Sequence, residues 1–534
     1  MSVTITNPIL PGFNPDPSIC RVGDDYYIAT STFEWFPGVQ ISHSKDLKNW
    51  RVVARPLNRP EQLNMLGNPD SCGVWAPCLT YSDGQFWLIF TDVKRFQGDF
   101  KDAHNYLVTC DVIDGHWSDP VYLNSSGFDP SLFHDDDGRK WFLNMLWDYR
   151  PGHHPFGGIL LQEFDVHSNK LVGPVTNIFK GSDHGLVEGP HLYKRDGYYY
   201  LFTAEGGTGF DHVETVARAQ SLTGPYEIMP GKHLVTAKDH PQNVLQRSGH
   251  GSYCDTPDGH GIFVHLCSRP MRAEGRSPMG RETAIQNLSW QQGWPQLSHG
   301  SVVPLESVTL PIEQEQPFDA LPARIEFNTP ALDLRLQWLR NPNVEEFVDL
   351  QSRQGVLRLK GFESLGSLYR SSLVAQRQTT FQYQATTKVE FTPTDFLQQA
   401  GLACYYNTHK HHYFYISYDD ELGKRHLAIM SCLGKHNWDS DFPEFETLKD
   451  IDIPQQGPLY LRATVDYRSL YFSWSSDGDA WQTIDLRLDA SLLSDEAGQG
   501  EHCNFTGAFV GIACQDLSGQ QRSADFHFFE YLPG

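Results

Sequence analysis

Positive charge is scarce in this chain. Its 534 residues carry 42 Lys and Arg against 65 Asp and Glu, a net charge of −23, with a pI near 5.4. A surface of that sign repels phosphates, which argues against nucleic acid and anionic membranes as partners. Long apolar runs are missing too: none approaches the ~20 residues that span a bilayer. The opening MSVTITNPILPGF has neither a charged n-region nor an apolar h-region, so no targeting segment is read there and a soluble, cytoplasmic protein is expected. The ten cysteines are scattered instead of clustered, which excludes a disulfide-rich framework and points to mostly buried free thiols.

What the chain does have is aromatic rings (13%), 45 Gly and 33 Pro, a mixture that favours short strands and tight turns over helices. It is too long for one core and calls for two or three domains. A layout also repeats. The stretch DHGLVEGPHLYKRDGYYYLF sets a short apolar strand, an Asp-Gly turn and an aromatic strand in a row, the pattern of a β-hairpin. The same layout occurs at FNPDPSICRVGDDYYIAT, GVWAPCLTYSDGQFWLIF, GFDPSLFHDDDGRKWFLN and SGHGSYCDTPDGHGIFVH. The turn aspartates Asp24, Asp83, Asp137, Asp196 and Asp258 follow one another at steps of 59, 54, 59 and 62 residues. Five such units predict a five-bladed β-propeller, in which equivalent positions gather around one axis. Segments such as HSKDLKNW and NLSWQQGWPQL are expected to be the outer strands of its blades.

Eight residues before each turn aspartate stand Asp16, Trp75, Asp129, Glu188 and His250. Three carboxyl groups at inner-strand positions are an odd choice for a core, because a buried carboxylate is rare unless paired or functional. If the first strand of each blade lines the channel, all five side chains meet at one mouth. Taken alone, Asp16 would read as a turn aspartate capping its own backbone; its place in the repeat, and its near copy in Phe128-Asp129-Pro130-Ser131, reverse that. Trp75 could equally close its blade or face a sugar ring. His250, between Gly249 and Gly251, could hydrogen-bond in the channel or hold a water or cation there. Arg281 could fork onto vicinal hydroxyls or a carboxylate. The loop Thr30–Gly38 carries three aromatic residues with no counterpart in the other units, as if covering something. His153-His154 and His409-Lys410-His411-His412 read as solvated segments, not as metal sites.

Two carboxyl groups at one mouth can hydrolyse a glycoside: one protonates the leaving oxygen, the other activates water or attacks directly. A third can raise the acid's pKa by repulsion and orient it. The pattern leaves the division of roles among Asp16, Asp129 and Glu188 open, although the longer Glu suits the acid. Beyond a linker at 306–323, residues 324–534 alternate apolar and polar in short strands, as in FQYQATTKVEF and GAFVGIACQD, which predicts an antiparallel β-sandwich.

Asn14-Pro15-Asp16-Pro17-Ser18, Phe128-Asp129-Pro130-Ser131 and Val187-Glu188-Gly189-Pro190 resemble the three signature segments of glycoside hydrolase family 43. The C-terminal half is similar to the sandwich of that family's two-domain β-xylosidases. The resemblance implies a propeller over 1–305 and an inverting mechanism with Asp16 as general base and Glu188 as general acid. Asp129 would tune and position the acid. It further implies a sugar pocket lined by Phe33, Trp75, His250 and Arg281, with Phe505 reaching in from the sandwich, and a homo-oligomer, dimer or tetramer. A divalent cation near the channel is variable in that family, and none is assigned. The expected reaction is removal of terminal xylose from β-1,4-xylooligosaccharides. The alternatives are an α-L-arabinofuranosidase, because arabinofuranose presents similar hydroxyls, and a sugar-binding propeller without catalysis.

Overall fold

The computed structural model describes residues 2–272, 275–312, 314–434, 444–497 and 504–534. Its described elements are strands and two short 3-10 turns, with no α-helix. No helix of the described residues is long and apolar enough to cross a membrane. The nine described cysteines are free thiols, seven of them buried; Cys503 lies outside the described residues.

Residues 18–297 form five consecutive four-stranded antiparallel sheets. Their first strands are Ser18–Val22, Gly73–Ser82, Ser131–His134, Glu188–Arg195 and Gln246–Asp255. Each first strand packs beside the next, and the fifth returns to the first. Polar bonds fasten the same succession. The Leu79 N–H donates to Ser18 Oγ (3.0 Å), Lys194 Nζ reaches Asp135 (2.6 Å), and Ser252 Oγ donates to the Pro17 carbonyl (2.9 Å).

The repeated turns are alike in place but not in construction. In the second and fourth units, Asp83-Gly84 and Asp196-Gly197 form two-residue turns with both residues at positive φ, the I′ geometry that matches strand twist. The first unit turns on Gly23-Asp24, and the third and fifth use longer loops, 135–139 and 256–260. The segments expected as outer strands centre on the connections into them, although NLSWQQGWPQL also holds its outer strand, Trp294–Leu297. HSKDLKNW ends the strand Gln40–Ser44 and turns, and the outer strand is Arg51–Ala54. Likewise NLSWQQGWPQL contains the turn between Glu282–Gln291 and Trp294–Leu297. Their Asn, Asp, Gly and Ser content marks the bend, which aromatic neighbours disguised as strand.

Within the segment read as a linker, Ser307–Leu310 pairs with Val3–Thr6, so the chain's beginning is tied down after the fifth sheet. From Arg324 onward, a nine-stranded and a six-stranded antiparallel sheet form a β-sandwich. Of the cluster His409-Lys410-His411-His412, expected to be solvated, only His409 is exposed. Lys410, His411 and His412 are buried in the strand Lys410–Asp419. Lys410 Nζ donates to the carbonyls of Ser494 (2.6 Å) and Ala497 (3.0 Å), and His412 Nδ1 meets Ser431 Oγ at 2.8 Å. Polar side chains were read as exposed because their partners lie tens of residues away in sequence.

The two halves share one interface. Trp35–Phe36 pairs as a strand with Trp338–Leu339, and the Trp35 ring stacks on Phe509 at 3.7 Å. The aromatic loop therefore covers the sandwich. Beneath it the fully buried Arg340 bonds Asp70 (2.6 Å) and the Asn68 carbonyl (2.7 Å), beside buried Glu34. Burial drives the Glu34 carboxyl up to about 8 despite the nearby Arg340 charge. Breaking a buried pair by removing one partner costs about 3–5 kcal/mol. Arg340→Ala is accordingly expected to lower the denaturant midpoint by a corresponding amount; an unchanged midpoint would show that the guanidinium carries no weight in docking.

Candidate active site

Asp16 and Asp129 stand two residues before their first strands, Glu188 opens its own, and Trp75 and His250 lie within theirs. Three of the five have a left-handed backbone: Asp16 (φ 54°), Asp129 (φ 52°) and His250 (φ 46°). That conformation is costly for a residue with a Cβ and persists only where surroundings enforce it. Here it breaks the in–out alternation of a strand, as do the register shifts after Trp75, after Glu188 and around His250. In the Glu188 unit the kink falls on Gly189 (φ 59°), where an added Cβ would lie 3.0 Å from His250 Nε2. Glycine lets the segment that carries Glu188 close on that imidazole.

The kinks turn all five side chains into one cavity of about 320 Å³. Asp16, Asp129, Glu188, Phe33, Trp75, His250, Arg281 and Phe505 all line it. So do Phe96, Lys101, Phe128, Trp147, Phe156, Gly207 and Thr208, which were not singled out from the sequence. Phe128 had a signal, its place beside Asp129. Trp147 and Phe156 end the two strands flanking the loop that holds His153-His154, and their rings meet edge to face at 5.6 Å. Lys101 Nζ sits 3.8 Å above the Phe96 ring and 4.1 Å above Trp147. Nothing in a linear pattern brings those residues, from two different sheets, together.

Asp16 is the most heavily bonded of the carboxylates. Arg281 Nη1 donates to its Oδ1 at 3.0 Å, Ser31 Oγ donates to its Oδ2 at 2.6 Å, and His250 Nδ1 lies 3.7 Å from Oδ1. Burial by itself would raise this carboxyl. The Arg281 charge, with His250, Ser31 and His212, outweighs it and holds Asp16 below the ordinary aspartate value. Glu188 is in the opposite position. Burial, then the charge of Asp16, push it up to about 8 against the pull of Arg281. Its Oε1 is buried without a hydrogen-bond partner. Asp129 is raised well above its ordinary value by burial, then by Glu188 and Asp16, although the Gly189 N–H donates to it. Asp129 and Glu188 thus form a coupled pair that retains a proton at neutral pH. Burial keeps His250 below its usual value and therefore neutral.

The remaining wall is aromatic, and part of it comes from the sandwich. Phe505 lies 6.4 Å from Phe33, 6.1 Å from Trp75 and 5.3 Å from Phe96 between ring centroids. Its carbonyl accepts a bond from Arg281 Nη2 at 2.9 Å. Arg281 therefore holds a carboxylate of the first sheet and the backbone of the second half at once. Flat apolar faces beside buried, oriented polar groups suit a single pyranose or furanose ring. Among the described residues no group of three or more His, Cys, Asp and Glu is arranged to hold a metal ion.

The family profile for glycosyl hydrolases family 43 matches residues 5–295. That of the beta xylosidase C-terminal concanavalin A-like domain matches residues 324–532. The chain is 51% identical over 531 residues to a xylosidase/arabinosidase 43B of Humicola insolens, covering 99% of this chain and 98% of that one. It is 48% identical to a beta-xylosidase of Bacillus subtilis strain 168, covering 99% of each. Among solved structures, a xylan beta-1,4-xylosidase from Bacillus halodurans C-125 superposes with a TM-score of 0.95 at 50% identity, over 99% of this chain and all of that one.

Proposed function

Since the chain belongs to glycosyl hydrolase family 43, we propose that it is an exo-acting, inverting β-xylosidase that releases terminal xylose from β-1,4-xylooligosaccharides. The observation that carries this reading is a pair of carboxyl groups on one small cavity with opposite protonation at neutral pH, Asp16 ionised and Glu188 protonated. A glycosidase needs that division of labour. Asp16 takes the proton of a water that attacks the anomeric carbon. Glu188 delivers its proton from Oε1, the oxygen left without a partner, to the departing glycosidic oxygen. Asp129, coupled to Glu188, keeps the proton on the pair and orients it. Arg281 and His250 bind ring hydroxyls as well as Asp16, while Phe33, Trp75 and Phe505 pack against the ring.

The same reading takes residues 1–305 as a five-bladed propeller, 306–323 as a linker and 324–534 as a sandwich that completes the pocket. Five sheets whose first strands adjoin in a closed cycle support the blade count. A small cavity walled on one side by Phe505 and on another by Trp147 and Phe156 suits attack at a chain end over attack within a chain. By the family resemblance the protein works as a dimer or tetramer, and the cytoplasm is its proposed compartment.

A dual xylosidase and α-L-arabinofuranosidase is the second reading, favoured by the likeness to the Humicola insolens xylosidase/arabinosidase. Kinetics on nitrophenyl β-xyloside and nitrophenyl α-arabinofuranoside separate the two, and activity on neither would leave only a sugar-binding protein. The stereochemistry is tested directly. A base acting through water needs about 6.5–9.5 Å between the carboxyl groups, a nucleophile about 5–5.5 Å. The first product from a β-xyloside is expected to be α-xylose, seen by proton NMR before mutarotation. An initial β-anomer would recast Asp16 as a nucleophile.

A further inference from the structure

Three hydrogen bonds pass through Ser71, two of them to residues of the pocket wall. Its N–H donates to Glu34 Oε2 at 3.0 Å. Its carbonyl accepts the indole N–H of Trp75 at 2.9 Å. Its hydroxyl accepts the backbone N–H of Phe505 at 3.1 Å. Trp75 and Phe505 both line the cavity, and they come from different halves of the chain. Ser71 itself is fully buried and left-handed, with φ 59°. A β-carbon in that region is strained, and such strain is kept where the surroundings over-determine the backbone.

The surroundings that hold it belong largely to the sandwich. Arg340 bonds the carbonyl of Asn68 and the carboxylate of Asp70, and its own N–H donates to the Glu34 carbonyl at 2.9 Å. Thr408 Oγ1 donates to the other oxygen of Asp70. The segment 68–71 is thus clamped by two residues of the second half, and its last residue holds one ring from each half. Phe505 in turn accepts from Arg281, the partner of Asp16.

We propose that Ser71 is a positioning residue that transmits docking of the sandwich to the sugar-facing wall, so that Trp75 and Phe505 are set in register only when the two halves are clamped together. The proposal rests on the glycosidase reading above. It assigns Ser71 to sugar binding, because its bonds to Trp75 and Phe505 reach the aromatic wall.

Ser71→Ala and Ser71→Gly both remove the hydroxyl; the second also relieves the left-handed strain, so a folding defect in one is not shared by the other. Losing one hydrogen bond is worth roughly 2–12-fold in an equilibrium. Both variants should raise KM for nitrophenyl β-xyloside and the Kd for xylose by that factor. Their kcat should change less than about twofold, and both limbs of the pH profile should stay in place. In a Phe505→Ala background the same substitutions should cost almost nothing, since the ring they position is gone. Trp75 emission, taken as the difference between each protein and its Trp75→Phe counterpart, should shift in Ser71→Ala. That signal decides the positioning claim even if the wild-type protein cleaved no glycoside, an outcome that would sink the functional reading alone. Unchanged KM and emission, a fall in kcat with a displaced pH limb, or an equal cost with and without the Phe505 ring would each overturn the proposal.

Discussion

Asp16→Ala is expected to abolish turnover of every substrate, while Glu188→Ala spares those whose leaving group needs no proton. General acid–base groups contribute about 10²–10⁴-fold each. Without Asp16 no base activates water, so xylobiose and an activated aryl xyloside should both lose on the order of 10³–10⁴-fold in kcat. Without Glu188 the departing oxygen must leave as an anion. Xylobiose, whose leaving group is a sugar alkoxide, should lose as much as in Asp16→Ala. A dinitrophenyl xyloside, whose leaving phenolate is stable, should lose roughly tenfold or less. The local structure makes the contrast sharp: each oxygen of Asp16 accepts one donor, whereas Glu188 has an oxygen with none. Equal losses on both substrates for both variants would remove the assignment of base and acid.

Arg281→Gln should displace the whole pH profile. On the proposed mechanism kcat/KM requires Asp16 ionised and Glu188 protonated, so activity is expected to fall at low pH as Asp16 takes a proton and above about pH 8 as Glu188 loses one. Arg281 favours the anionic form of both groups, and of Asp129. Removing its charge raises the carboxyls together, so both limbs should move to higher pH and the loss should be greatest on the acid side. At the optimum the loss should still be on the order of 10²-fold, because a buried carboxylate deprived of its partner is destabilised by several kcal/mol. A profile that keeps its limbs and merely loses height would mean that Arg281 serves only to bind substrate.

The gathering of the three carboxyls was legible in the linear sequence for a physical reason. A fold made by repeating one unit places equivalent residues equivalently, so a constant offset from the turn aspartate is already a statement about space. The five ring positions line one cavity although their turns differ in length, because the offset that matters is set by the first strand and its kink. The sandwich strands were legible through their alternation. The outer strands were not, because a turn rich in Asn, Asp and Gly beside a Trp carries both signals at once. The buried histidines of the second half were misplaced because polarity was taken for exposure, and the acceptors that satisfy Lys410 lie near residues 494–497.

By itself, then, the sequence determined the all-β class, the repeat, the three carboxyls and the aromatic and basic residues that accompany them. Tertiary structure alone decided how the surroundings of the carboxyls differ. Asp16 is anionic because Arg281 and Ser31 reach it, and Glu188 keeps its proton because burial and the nearby Asp16 charge outweigh Arg281. It also decided that the pocket is a joint product of two halves, through Phe505, Arg340 and Ser71. Protonation and enclosure both depend on contacts between residues up to hundreds of positions apart, and a local pattern carries no information about those distances.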